Sequence, residues 1–257
     1  MAMSTRVGTF RERLVKGHRL LGTFVKTPHP AVIEVLGYAP LDCLCIDAEH
    51  APFDRRDLDM AILAARAADM PSLVRVARAD AADILNALDL GATGVVIPHV
   101  ANASDALAAA NACRYQRGSG RGYAGSTRAA GYGTGTMADN IARANAEVTL
   151  VAQIEDADAL NHLDAIAKVE GIDALFVGRM DLTVSLGAAG PNDAIVLEAV
   201  REICAAAKRH HRALGMFTTT TDEAKTWFDA GATFFLLGSE HQWMLQGARA
   251  LRASFEN

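Results

Sequence analysis

Asp47, Ala48, Glu49 and His50 put two carboxylates and an imidazole directly after an almost unbroken apolar run, Leu41, Cys43, Leu44, Cys45 and Ile46. Such a run reads as a strand covered on both faces, so the polar group stands at its C-terminal end, where sites in parallel α/β folds lie. On spacing alone, Asp47 also suits a helix N-cap and His50 a solvated loop. Other strand ends tip the balance: Arg75 leaves a third strand, Gln153 and Glu155 a fifth, Asp181 a sixth. Glu155 and Asp181, on adjacent strands, are hard oxygen donors that suit magnesium, manganese or cobalt with waters completing the shell. No cysteine joins them, which argues against structural zinc.

A divalent metal, an arginine and a histidine around one pocket fit enolate chemistry. The metal polarises a carbonyl, Arg75 stabilises the developing enolate oxygen, and His50 is of the right class to move the proton. Asp47 or another acid would orient the His50 ring. A Schiff-base mechanism would instead need a lysine inside the fold. Of the five lysines, Lys16, Lys168, Lys208 and Lys225 fall on expected helices, and Lys26 reads as a loop residue after the first strand.

The elements that must position these groups alternate. Strands are expected over residues 20–25, 41–47, 72–76, 94–98, 149–154, 174–178, 213–217 and 233–237. Helices are expected over 4–16, 31–36, 55–68, 81–90, 103–113, 139–146, 157–168, 182–186, 194–210, 223–230 and 242–255. Eight strands alternating with helices indicate a single (β/α)8 barrel domain spanning 1–257, with an open doubly wound sheet as the alternative. Residues 117–135 break the rhythm with seven glycines. Gly120, Gly122 and Gly125 match a dinucleotide-type spacing there. The match follows a helix rather than a strand and carries little weight; a cover over a site is the better expectation for this loop.

Composition narrows the partners to small molecules. The chain has 257 residues, 51% of them hydrophobic, and a formal net charge of −5. Without a basic patch, nucleic acid is not expected as a partner. No apolar run is long enough to span a bilayer, and the polar, mixed residues 1–13 do not suggest a signal peptide. Cys43, Cys45, Cys113 and Cys204 show no disulfide or zinc spacing, which fits a reduced, cytoplasmic protein.

Several segments occur together and in order: IDAEH with Pro52, Val74-Arg75, LDLGA from Leu88, VAQIED from Val151 and FVGRMDL from Phe176. As a set they resemble the HpcH/HpaI family of metal-dependent, class II pyruvate aldolases, over roughly residues 21–237. The resemblance implies a (β/α)8 barrel that assembles as a hexamer built from dimers that exchange the eighth helix. It also implies reversible cleavage of 4-hydroxy-2-oxo acids to pyruvate, or a related 2-oxo acid, and an aldehyde. By motif match, Glu155 and Asp181 would hold the metal, Arg75 would stabilise the enolate and His50 would be the base, supported by Asp47. Gln153 and the backbone around Gly178 and Met180 would bind substrate. Asp89, on a helix away from its own barrel mouth, would reach the His50 of a neighbouring subunit. Arg179 and Met180 depart from the family's Pro-Ala, and residues 240–243 depart from its pattern after strand eight. An acyl-CoA ester lyase of the same family is the alternative activity, and a barrel without catalysis the alternative class.

Overall fold

The structure is a computed structural model that describes residues 8–118 and 120–256. Eight parallel strands close in sequence order: β1 (Leu20–Val25), β2 (Cys43–Asp47), β3 (Ser72–Arg75), β4 (Gly94–Ile97), β5 (Thr149–Ile154), β6 (Ala174–Val177), β7 (Ala213–Thr218) and β8 (Phe234–Ser239). β8 pairs back to β1, so no sheet edge is left open. The expected (β/α)8 barrel is the observed fold.

Strand alternation decides which side chains face inward. On β2, Cys43 and Cys45 join the cluster inside the barrel, while Leu44 and Ile46 pack outward against the helices. The same phase turns Leu73 and Val151 inward. Two residues further along, Asp47, Arg75 and Gln153 therefore form the uppermost inward layer. Asp47 and Arg75 are direct register partners. Strand contact is close: a Cβ on Gly94 would lie 2.3 Å from the Thr149 carbonyl oxygen.

The opposite end of the barrel is closed by α1 (Phe10–Val15), whose Phe10 meets Phe234 edge-on at 5.8 Å and whose Leu14 is fully buried. This helix was expected over residues 4–16. Residues 4–7 lie outside the described ones, and the described helix starts after Thr9 because Thr9 and Glu12 form a capping box.

The outer helices are α2 (Pro30–Gly37), α3 (Arg55–Ala67), α4 (Ala81–Asp89), α5 (Ala103–Cys113), α6 (Met137–Glu147), α7 (Leu163–Lys168), α8 (Arg179–Ser185), α9 (Ala194–Arg209), α10 (Thr221–Asp229) and α11 (Glu240–Glu256). Two boundaries differ informatively from expectation. The segment 157–168 is split into a 3-10 turn, Ala157–His162, and α7, because His162 leaves the helical region at φ −123°. α8 starts at Arg179 rather than at 182, so Asp181 lies in its first turn. No helix among the described residues is long and apolar enough to cross a membrane.

The glycine-rich loop does not cover its own barrel's polar rim. A helix that returns antiparallel to its strand delivers its C-terminal end to the far side of the barrel, and the loop follows α5 there. Its Ala129 N–H donates to the Asp89 carbonyl at 3.3 Å, and Arg128 Nη1 donates to the Leu90 carbonyl at 2.8 Å, so it packs on the end of α4.

Candidate active site

The rim at the strand C-termini gathers most of the expected residues. Asp47 ends β2 and is fully buried. Arg75, its neighbour across the β2–β3 ladder, donates from Nε to Asp47 Oδ1 at 3.0 Å and from Nη2 to Oδ2 at 2.9 Å. This fork leaves Nη1 of Arg75 for a further acceptor. The guanidinium carbon lies over the Phe24 ring, 4.6 Å from its centroid. Burial by itself would raise the Asp47 carboxyl. The Arg75 guanidinium, the His50 N–H and Lys26 together outweigh it and hold the group below the usual carboxylate range.

Asp47 does not orient the His50 ring. Its Oδ1 accepts the main-chain N–H of His50 at 3.1 Å, which fixes the turn, and its side chain is committed to Arg75. The half-exposed His50 ring has Glu49 as its nearest acid, Nε2 to Oε2 at 3.7 Å. Glu49 also faces Arg75 Nε at 3.2 Å.

Glu155, directly after β5, is 1% exposed. Oε1 accepts the His99 N–H at 2.9 Å, and Oε2 accepts from the Gln153 amide. Burial raises its carboxyl above the usual glutamate range, despite these two donors. Gln153, expected to bind substrate, thus spends its amide N–H on Glu155, while its buried Oε1 has no partner. Gly178, directly after β6, stands against this acid: a Cβ there would lie 2.5 Å from Glu155 Oε2 and 3.0 Å from Gln153 Nε2. Only glycine leaves this acid its place. Asp181 follows three residues later, partly exposed, and its carboxylate makes no hydrogen bond or ion pair among the described residues. The Gly178 N–H is used by the Ile154 carbonyl at 3.0 Å, which leaves the N–H groups of the first turn of α8 available. Met180 is 55% exposed, so any substrate role for it belongs to its main chain.

Asp89 is not at this rim. It ends α4 on the far side, where Arg121 Nη2 meets its Oδ1 at 2.5 Å. The Arg121 side chain is almost completely buried, with the Tyr115 ring 4.8 Å away. Arg179, which departs from the family pattern, is tied back by Glu223. Glu240 is buried and accepts the Lys26 and Thr27 N–H groups at 2.8 and 2.6 Å, pinning the loop after β1.

Three rim residues escaped assignment from sequence. Lys26, read as a loop residue, brings Nζ to 3.1 Å from Asp47 Oδ2. Glu49 had no role, although it adjoins His50. His99 follows β4 with a left-handed backbone, φ 54°. Its Nδ1 lies 3.0 Å from Asp156 Oδ2, and its Nε2 lies 3.7 Å from Glu49 Oε1. Burial disfavours the charged His99 ring, but Asp156, Glu155 and Glu49 outweigh that and raise its pKa. Its place immediately after the strand-four Val-Ile-Pro run was the available signal.

These groups fit a divalent cation. One ligand atom each from Glu49, His99 and Glu155 lie within 4.8 Å of one another. Gln153 Oε1 is buried without a hydrogen-bond partner. Glycine at 178 keeps the space beside Glu155 open. Oxygen donors from separate strands around a buried acid match the donor set of such an ion.

The model of the HpcH/HpaI aldolase/citrate lyase family matches residues 20–246. The hydroxypyruvate/pyruvate aldolase of Paraburkholderia phytofirmans is 36% identical, with 96% of this chain and 97% of that protein covered. The 4-hydroxy-2-oxovalerate aldolase of Rhodococcus jostii is 34% identical, with 98% of each covered. The crystal structure of an HpcH/HpaI aldolase/citrate lyase family protein from Burkholderia cenocepacia superimposes with a TM-score of 0.91 at 32% identity, covering 96% of this chain and 98% of that one. With a closed barrel, an acid-lined rim and similarity along nearly its whole length, this chain is a carbon–carbon lyase that belongs to the HpcH/HpaI aldolase/citrate lyase family.

Proposed function

We propose that the protein is a divalent-metal-dependent aldolase that reversibly cleaves 4-hydroxy-2-oxo acids to pyruvate, or a related 2-oxo acid, and an aldehyde. The observation that carries this reading is the pairing of a buried arginine, Arg75, locked by Asp47, with a buried acid, Glu155, on the same rim. The relatives named hydroxypyruvate/pyruvate aldolase and 4-hydroxy-2-oxovalerate aldolase support a 2-oxo acid as the donor.

In this reading Glu155 and Asp181 hold the ion, which when bound supplies Lewis acidity toward the oxygens of the 2-oxo acid. Arg75 presents Nη1 to the oxygen that gains charge as the carbon–carbon bond breaks. A planar donor already fixed by Asp47 needs no reorganisation at that moment. His50, on the rim and half exposed, exchanges the proton of the 4-hydroxyl. Gln153 orients Glu155, and the free N–H groups at the start of α8 receive the donor carboxylate. Lys26 serves as an ion-pair partner of Asp47 rather than as a nucleophile.

A homohexamer accompanies this reading. Met244, Leu245, Leu251 and Phe255 on α11 are all more than half exposed, which supports exchange of this helix between subunits. Asp89 of one subunit would then complete the His50 of another.

The test is release of pyruvate from a panel of 4-hydroxy-2-oxo acids, assayed with and without chelator. Chelator-sensitive release from at least one of them is expected. Turnover that persists after complete metal removal sinks the reading.

A further inference from the structure

We infer that His99 is a nitrogen ligand in this metal site, which makes the site one for borderline transition ions such as cobalt, nickel or zinc rather than magnesium. The inference rests on the metal-dependent reading above and deepens it.

Three observations carry it. First, the imidazole is prepared as a ligand. Asp156 lies 3.0 Å from Nδ1 and so accepts Nδ1–H, which leaves the lone pair of the neutral ring on Nε2. A metal-binding histidine is commonly oriented in this way, its second nitrogen held by a carboxylate. Second, Nε2 faces Glu49 Oε1 at 3.7 Å. That is too long for a hydrogen bond. Two donors each about 2.1 Å from one ion sit roughly 3.0–3.4 Å apart, so a contraction of a few tenths of an ångström suffices. The Glu49 side chain is nine-tenths buried; its Oε2 is turned to Arg75 Nε at 3.2 Å, which leaves Oε1 as the oxygen that faces His99. Third, His99 is held in a conformation that L-residues rarely adopt, φ 54°, with its N–H on Glu155 Oε1 at 2.9 Å. The ring thereby stays beside the acid already assigned to the ion. Strain of this kind persists only where the surroundings over-determine it.

The donor set then has consequences for selectivity. Carboxylates alone suit magnesium, which keeps its waters and octahedral geometry. One imidazole added to them favours later first-row ions, whose affinity for nitrogen is higher. Arg75 beside Glu49 keeps the local charge from becoming strongly negative, which further disfavours a site built on charge alone.

The experiment is metal binding by the intact apo-protein, followed calorimetrically with cobalt and with magnesium, together with cobalt K-edge X-ray absorption. The variants are His99→Asn, which tolerates the left-handed backbone, and Asp156→Asn, which keeps shape but loses the charge behind Nδ1. Cobalt affinity should fall at least about tenfold in His99→Asn and measurably in Asp156→Asn. Magnesium affinity should stay within about twofold, and imidazole scattering should be present in the wild type and absent in His99→Asn. Thermal melts confirm that both variants are folded. Equal cobalt affinity and no imidazole scattering, while Glu155→Gln still abolishes binding, would overturn the role of His99 alone. If the wild type binds neither ion, or if Glu155→Gln and Asp181→Asn leave binding unchanged, the metal-dependent reading itself falls.

Discussion

Asp47 grips Arg75 through two near-parallel hydrogen bonds of 3.0 and 2.9 Å across the β2–β3 ladder, at the top of the barrel interior. The guanidinium is thereby aimed before any substrate arrives. Arg75→Lys should lower kcat by about a hundredfold or more, because an ammonium cannot make the fork and also reach substrate. Asp47→Asn should lower kcat as well, since an amide cannot pair with both donor edges. Steady-state kinetics decide: a raised KM with kcat unchanged would reduce Arg75 to a binding residue.

Metal removal separates two chemistries. Lys26 comes within 3.1 Å of Asp47, so a lysine mechanism can be tested directly. Chelated enzyme should be inactive and recover on adding a divalent ion. Borohydride in the presence of pyruvate should leave it fully active, and Lys26→Met should retain metal-dependent turnover. Inactivation by borohydride that is lost in Lys26→Met would establish a Schiff base instead.

Gly178 is a packing constraint on the site. In Gly178→Ala the new Cβ would meet Glu155 Oε2 at 2.5 Å and Glu155 Cβ at 2.7 Å. The acid must move, at a cost of about 1–3 kcal/mol in stability. Metal affinity should fall with it. Calorimetric titration and a urea midpoint measure both losses; unchanged affinity would place the ion away from Glu155.

Asp89 offers a test of assembly. Its partner within the chain is Arg121, on the face away from the site. Asp89→Asn and His50→Ala should each be nearly inactive if the two meet across subunits. Mixed under exchange conditions, they should recover part of the activity, because some sites receive both intact groups. Asp89→Asn also leaves the buried Arg121 charge uncompensated, so circular dichroism and a second variant, Asp89→Glu, guard against simple unfolding. A fully active Asp89→Asn enzyme would assign Asp89 to the Arg121 pair alone.

Much of this molecule was legible before any coordinate. Period and punctuation determined the eight strands, and the run from Leu41 to His50 suggested a rim that the polar residues at the other strand ends then favoured. The sequence set Asp47, Arg75 and Gln153 at strand ends, but an apolar run covered on both faces carries no phase, and the shared inward layer followed only from the cluster inside the closed barrel. What sequence could not supply was who touches whom across that layer. It assigned Asp47 to the His50 ring, whereas register set it opposite Arg75. It read Lys26 as a loop residue and gave His99 no role, whereas barrel closure carried the ends of β1 and β4 to the same rim as β2 and β5. It made the glycine loop a cover, whereas the direction of α5 delivered that loop to the other end. Periodicity is written into neighbours along the chain. Contacts among strand ends that lie tens of residues apart are decided only when the sheet closes and sets their register.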